Sequence, residues 1–372
     1  MNMPKFLSVM ILLFSSIFAV AQNTTSNERL FNGAIEQLES NDTDKTGRAK
    51  AIAVIKNLAM RGYGKALNEM GVWYATGEIP EIDKDYKKAK DLLIKAWNAK
   101  EITAARNLSI IYSHDEYGPS DMNMAFEWTR KGAEAGDAQM MHDLGIYYME
   151  PRYGFDVDTI NAIGWFRKAA DLEFGEAMWQ LSRFYYNKGN SEEAKYWLKR
   201  GVKIDNVKCL YGYGLCLRDG SNGIEKDMNA AAENIKKAAD MYGYEPAEMN
   251  YARICDDNKD YATALQYYER SASKGNILSI VIVADYYSQG RGNDIEVDYN
   301  AAFDWYSRGA NTQPNTEDEH KFCQFCQTMV GLCYYKGWGV EIDRQKGSSM
   351  LYRLAGEGCE KAKEFIKEYN VE

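Results

Sequence analysis

One pattern can be laid over this chain nine times, and it constrains the fold more than any other feature. In Ala125 to Tyr148 (AFEWTRKGAEAGDAQMMHDLGIYY), Ala125, Trp128 and Ala133 recur at helical spacing and Gly136 interrupts them. Met140, Leu144, Gly145 and Tyr148 then mark one face of a second helical stretch. The unit is a helix, a turn and a helix, and no single unit carries enough apolar surface to close a core of its own.

The array is legible from its small first position: Ala51, Ala89, Ala125, Ala162, Ala194, Ala232, Ala264, Ala302 and Gly347, at intervals of 38, 36, 37, 32, 38, 32, 38 and 45 residues. Three residues further on stand Val54, Leu92, Trp128, Trp165, Trp197, Ile235, Tyr267, Trp305 and Met350, which read as the packing face. In the second helix a small slot holds Gly71, Ser109, Gly145, Ser182, Gly214, Ala252, Ala284 and Gly331. A large slot follows at Tyr74, Tyr112, Tyr148, Tyr185, Leu217, Cys255, Tyr287 and Tyr334. Small residues let two helices approach and large ones cover the contact edge, so each copy needs its neighbours. The copies holding Leu217 and Cys255 are expected to pack less regularly.

Punctuation fits the period. Gly62, Gly136, Gly243, Gly275 and Gly358 share the turn position, where glycine takes the left-handed conformation that ends a helix. Lys100, Glu173 and Asp205 hold it elsewhere, and looser turns are expected there. Pro80, Pro119 and Pro151 follow second helices, where they stop the chain without removing an interior hydrogen bond.

These residues resemble the Sel-1-like repeats, relatives of the tetratricopeptide repeats, with the pattern A-x-x-W-[YF]-x-[KR]-A-A, then G-x-A-x-A, then L-G-x-x-Y-x-x-G. AIGWFRKAA (Ala162 to Ala170) matches its first part and MGVWYATG (Met70 to Gly77) its last. The likeness covers about residues 48 to 372. It implies an all-α chain, an α-solenoid wound as a right-handed superhelix of about nine helix-turn-helix repeats. It also implies a concave side that binds protein or peptide, and no shared catalytic apparatus.

Ahead of the array, Lys5, the apolar run from Phe6 to Phe18 and Ala19-Val20-Ala21 read as a signal peptide over residues 1–21, cleaved before Gln22. Residues 22–47 form an N-terminal segment with one short capping helix, Glu28 to Leu38, and Asp44 or Thr46 caps the helix that begins near Arg48. The chain is therefore expected to be exported, to a periplasm or to the cell surface and beyond. No later stretch is long and apolar enough to span a membrane. A formal charge of −9, or −10 without Lys5, argues against nucleic acid as partner. Composition adds little else: 45% apolar and 27% charged residues are ordinary for a folded chain.

Two irregularities break the period. NTQPNTEDEHK, Asn311 to Lys321, adds about nine residues between two helices and reads as an acidic surface loop, with a binding decoration as the sharper alternative. The two 32-residue intervals shorten connecting loops.

Seven cysteines are an odd number for an exported chain. Cys209 and Cys326 align with Ala66, Ala105, Ala177 and Ala247, and Cys216 and Cys333 with Trp73, Ile111 and Tyr147, so these four read as buried packing residues. Cys323 and Cys326 form C-x-x-C after His320, which invites a redox or metal reading, but no second pair completes a four-ligand site.

Enzyme signatures are sparse. Ser271-Ala-Ser-Lys274 fits S-x-x-K and Lys45-Thr46-Gly47 fits K-T-G, in the wrong order and without S-D-N, and Ser271 stands in a slot that the repeat already explains. His114, His142 and His320 are scattered and read as surface or helix-end residues. The tyrosine pairs Tyr147-Tyr148 and Tyr286-Tyr287 read as core rather than as carbohydrate platforms. The expectation is an exported repeat scaffold for a protein or peptide partner, with no catalytic residue, cofactor or metal. The alternatives are an exported serine hydrolase acting on peptidoglycan or β-lactams, and a plain spacer.

Overall fold

The computed structural model describes residues 26–40, 44–151, 154 and 156–371. The expected signal peptide lies outside the described residues. The described part is an all-α solenoid of nineteen helices, without a sheet; an isolated bridge joins Arg291 and Ile295. The chain divides into two compact units, Met1–Ala177 and Met178–Glu372.

In the first unit α1 (26–39) precedes α2 (Lys45–Met60), α3 (Gly64–Thr76), α4 (Tyr86–Asn98), α5 (Thr103–Ser113), α6 (Met122–Glu134), α7 (Ala138–Met149) and α8 (Thr159–Asp171). The chain then runs through α9 (Gly175–Asn187), which crosses the boundary. The second unit continues with α10 (Ser191–Lys203), α11 (Val207–Asp219), α12 (Met228–Tyr242), α13 (Glu245–Asp257), α14 (Tyr261–Ser273) and α15 (Ile277–Gln289). It closes with α16 (Tyr299–Ala310), α17 (Glu317–Lys336), α18 (Arg344–Gly356) and α19 (Glu360–Glu368). Even-numbered helices open a copy and odd-numbered ones close it. Helix α1 lies against the first copy, with Lys65 Nζ 2.6 Å from Glu28 Oε1 and the Phe31 ring edge-on to Tyr63.

The small slot of each second helix but the last receives a side chain from the first helix of the following copy, large everywhere except at Ser109, which meets Thr129. A Cβ placed on Gly71 would stand 2.7 Å from Leu93 Cγ, one on Gly145 2.5 Å from Phe166 Cε1, and one on Gly214 2.6 Å from Ile235 Cγ1. The receiving position is four residues past the small alanine. It holds Ile55, Leu93, Thr129, Phe166, Leu198, Ile235, Tyr268, Tyr306 and Leu351, all buried. The position three residues past, which the sequence presents as the packing face, is shallower: Trp128, Trp197 and Tyr267 are buried, but Val54, Leu92, Trp165, Trp305 and Met350 are only half-buried. A 3.6-residue turn puts both positions on the apolar side, and the sequence pattern does not say which one faces the neighbour. Outer edges of the shallower aromatics are covered by a cation three residues on: Lys131 over Trp128 at 4.0 Å, Lys168 over Trp165 at 3.7 Å, Arg308 over Trp305 at 4.4 Å.

Within a copy the two helices meet through a second pair whose sizes trade off. Gly132 faces Met140, Gly201 faces Cys209 and Gly309 faces Cys326, while Ser271 and Ser279 hold the same two positions joined hydroxyl to hydroxyl at 2.8 Å. Cys209, Cys216, Cys326 and Cys333 are all buried, as their place in the repeat requires. Interiors packed at crystal-like density leave no other option than such trading.

A backbone clasp repeats at every junction. The residue four before the small alanine is Asp85, Asp121, Asp158, Asn190, Asp227, Asp260, Asp298 or Asp343, and its side chain caps its own helix. Its N–H donates to the large-slot carbonyl of the preceding helix: Asp85 to Tyr74 at 2.9 Å, Asp121 to Tyr112 at 2.7 Å, Asp298 to Tyr287 at 2.7 Å. Each such carbonyl is near a helix end and has no intrahelical partner, so the next copy satisfies it. The clasp is intact where irregular packing is expected from the sequence. Asp227 N and Asp260 N reach the Leu217 and Cys255 carbonyls at 2.9 Å, and both side chains are buried. It also corrects the register of one copy: Asp227 places the small residue at Ala231, fully buried, not at the half-buried Ala232. Ile235 then occupies the same deep slot as Leu93.

Two further expectations are corrected. Lys100, Glu173 and Asp205 do not make looser turns; they take the left-handed backbone of the glycines, at φ of 68°, 59° and 56°. Only the first part of the Asn311 to Lys321 insertion, residues 311–316, is a loop. Residues 317–321 are the start of α17, which runs 14 residues ahead of its small slot (317 to 331) where α15 runs 7 (277 to 284). Thr316 caps it through the Glu319 N–H at 3.2 Å, and Glu319 accepts from Asn315 N at 2.6 Å. Three acidic residues in its first turn suit the positive end of the helix dipole.

This packing sets the sign of four substitutions, each to be read from denaturant titration of the full chain. Gly145→Ala is expected to cost about 1–3 kcal/mol because Phe166 has no room to retreat. Gly164→Ala, on the open face of α8 with nothing within 4 Å of an added Cβ, is expected to gain up to ~1 kcal/mol. Equal effects would contradict the close approach. Lys100→Gly and Glu173→Gly are each expected to stabilise by roughly 0.5–1 kcal/mol, by relieving a left-handed non-glycine residue. A loss of stability in both would show that the turn is not strained.

Candidate functional site

The residues that invite a catalytic reading are committed to packing. Ser271 is fully buried on α14; its hydroxyl donates to Glu245 Oε1 at 2.6 Å and meets Ser279. Lys274 donates to the Gly243 carbonyl and to Glu248 Oε2, each at 2.6 Å. Glu248 is itself buried and takes Arg270 Nε at 3.0 Å, while Arg270 reaches on to Asp240 and the Ala239 carbonyl. Burial would raise the Asp240 carboxyl, but hydrogen bonds from Lys236, Tyr267 and Arg270 outweigh it and hold the group down to about 2. This is a charge cluster around the buried Glu248 that locks α12, α13 and α14 together. Lys45-Thr46-Gly47 opens α2, where the Gly47 N–H caps onto Asp44 at 2.6 Å.

Cys323 and Cys326 sit one turn apart on α17 as free thiols, and burial pushes Cys326 up to about 12 and raises Cys323. A thiol so disfavoured as thiolate is a poor nucleophile and a poor ligand. His320 is exposed at the start of the helix. Among the described residues no group of three or more His, Cys, Asp or Glu side chains is placed to hold a metal ion. His114 ends α5, in keeping with a helix-end residue. His142 is neither surface nor helix end. It is largely buried in mid-α7 between Phe166 and Phe174, with its Nδ1 3.0 Å from Asp143 Oδ1. Tyr147 and Tyr286 are buried, so the tyrosine pairs belong to the core.

One groove that the packing leaves open lies in the second unit between α9, α10 and α11. It holds a cavity of about 230 Å³. Its origin is visible in the slots. The residue two before the small slot is Glu69, Asn107, Asp143, Gln180, Asn250, Ile282 or Met329 in other copies, and Gly212 here; a Cβ there would collide with the Trp179 ring. The residue two after it is Trp73, Ile111, Tyr147, Phe184, Ile254 or Tyr286 in most copies, and Cys216 here. Cys333 makes the second substitution, but beside Met329, so two truncations meet only in the copy of α11. The floor is Trp179, Leu198, Gly212 and Leu215, and the rim carries Arg183, Tyr186, Asp219, Ser221 and Asn222. Tyr186 is 57% exposed. Arg218 pairs with Asp219 at 2.7 Å and holds its carboxyl below the usual range. Arg183 is exposed and has no ion pair among the described residues.

An equivalent groove opens in the first unit around Ser109, Thr129, Asp143, Ile146 and Tyr147, with a cavity of about 440 Å³. There the deep slot holds threonine, the smallest residue to occupy it, and Ser109 Oγ and Thr129 Oγ1 lie 2.7 Å apart. Sequence reasoning misses both grooves. The signal is present as Gly212, Cys216 and Thr129 departing from large residues at aligned positions, and it becomes readable only once the deep slot is known.

The Sel1 repeat family matches this chain over residues 64–98, 102–137, 138–174, 175–203, 207–242, 256–276, 279–311 and 324–358. The chitin synthase regulator SKT5 of Saccharomyces cerevisiae is similar at 23% identity over 332 residues, 85% of this chain and 42% of that protein. Chitin synthase regulatory factor 3 of Schizosaccharomyces pombe is similar at 25% over 206 residues, 52% of this chain and 22% of that protein. The chain thus spans less than half the length of these curated relatives. Among solved structures, c5321, a protective antigen present in uropathogenic Escherichia coli strains displaying an SLR fold, superposes with a TM-score of 0.59 at 21% identity. That match covers 95% of this chain and 82% of the other. With eight matched stretches over most of its length, and with the slot chemistry those stretches share, the chain belongs to the Sel1 repeat family.

Proposed function

We propose that the chain is an exported interaction scaffold that binds a protein or peptide partner and performs no chemistry of its own. The observation that carries this reading is where the chemistry-bearing side chains are used. Ser271, Lys274, Glu248, Cys323 and Cys326 are consumed in holding helices together, while the exposed grooves combine apolar and hydroxyl-bearing linings with a few charged and polar side chains, a mixture suited to recognition. The likeness to two proteins named as chitin synthase regulators supports a role exerted through another protein. Export rests on the apolar run Phe6 to Phe18 and on Ala19-Val20-Ala21. A serine hydrolase has less support, because Ser271 has no path to a substrate.

In the native cell, crosslinking of the tagged chain is expected to hold one recurrent protein partner, saturably. N-terminal sequencing of the extracytoplasmic fraction is expected to begin at Gln22. A full-length chain confined to the cytosol would overturn the export half. Absence of any saturable partner would favour a spacer. Turnover of a chromogenic lactam or of cell wall that vanished in Ser271→Ala would restore the hydrolase.

A further inference from the structure

The groove at α9, α10 and α11 narrows the chemistry of the partner, and so deepens the scaffold reading on which it rests. A cavity of about 230 Å³ falls below the ~300–1,000 Å³ of a small-molecule site. It suits one large side chain. Its floor is aromatic and aliphatic, Trp179 against the bare face of Gly212 with Leu198 and Leu215 beside them. Apart from the buried Ser182, polar groups stand at the rim. Of the two charges there, Asp219 is neutralised by Arg218, which is further fixed by Asn250 Oδ1 at 3.0 Å. Arg183 remains as the one cation at the rim without a partner among the described residues, on the turn of α9 that comes after Trp179.

We propose that this cavity takes an aromatic or large branched side chain of a partner peptide, and that Arg183 pairs with a carboxylate next to that residue in the partner. Anchors of this kind carry most of the energy of an interface when a pocket desolvates them, and a guanidinium at the rim selects the partner by charge. Gly212 lets the Trp179 ring lie against α11 as the floor, and Cys216, short where most copies hold an aromatic or isoleucine, leaves the room beside it. The equivalent junction at α7 keeps Asp143 and Tyr147 at these two positions and opens instead where the deep slot holds Thr129.

The test uses the full mature chain and a fluorescein-labelled Ser-Glu-Phe-Glu-Ser peptide, followed by anisotropy. The same peptide with alanine for phenylalanine, and with lysines for glutamates, gives the comparisons. Saturable binding is expected, lost in the alanine peptide and weakened about tenfold or more in Arg183→Glu, a surface change whose fold is checked by circular dichroism. Arg183→Glu is expected to bind the lysine peptide better than the unmodified chain does. Gly212→Val, which fills the floor, is expected to abolish binding of both. No saturation up to about 1 mM would overturn the inference, as would equal affinity for the alanine peptide or indifference to Arg183→Glu. If Arg183→Glu still holds the partner crosslinked in cells, the inference falls while the scaffold reading stands. If the peptide binds but no cellular partner is ever held, the scaffold reading falls alone.

Discussion

Junctions between copies depend on one contact, a side chain from the first helix of one copy seated against a small residue on the second helix of the copy before, large everywhere except where Ser109 meets Thr129. Gly71 with Leu93, Gly145 with Phe166 and Gly214 with Ile235 are its clearest cases, because an added methyl would collide. Such a contact is worth roughly 1.5–3 kcal/mol for each buried side chain, but it exists only between copies. The backbone clasp from the capping aspartate to the large-slot carbonyl adds a directional bond at the same place. Together they fix both distance and register, and stability becomes a sum over neighbours.

A fold built this way separates structure from recognition. The deep slots and the size-traded pairs must be filled at every junction, so chemistry-bearing residues that fall in them, such as Ser271 and Cys326, are absorbed as packing. Open grooves arise where a copy departs from its neighbours without breaking the junction. Gly212 and Cys216 do this in the copy of α11, and Thr129 does it in α6: both keep the junction and open a groove. The lengthened α17 departs in a different way, adding two helical turns that begin with an acidic first turn.

The helix count, the turn glycines and the small slot are readable from spacing alone, since each leaves a residue-type signature at a fixed period. Depth is not. Positions three and four residues past the alanine both look apolar, and only the neighbouring copy decides that Phe166 is deep while Trp165 lies half-covered under Lys168. The capping aspartates stand in the sequence and distinguish Ala231 from Ala232, because a carboxylate four residues before the small slot marks the helix start. The turns at Lys100 and Glu173 look loose because those residues disfavour a left-handed backbone; the surrounding helices impose it anyway. His142 reads as a surface residue because its surroundings, Phe166 and Phe174, come from the next copy. The groove is hidden for the same reason, since a cavity is made of absent side chains and is visible only against aligned copies.

If no copy closes its own core, a single copy removed from its neighbours has nothing to hold it. The most direct measurement is circular dichroism with thermal melting on an isolated α6–α7 peptide, Met122 to Met149, beside the full chain. The expected result is a largely unfolded spectrum without a cooperative transition, since helices of this length are marginal alone. A helical peptide that melts cooperatively at low concentration would contradict the dependence of each copy on the next.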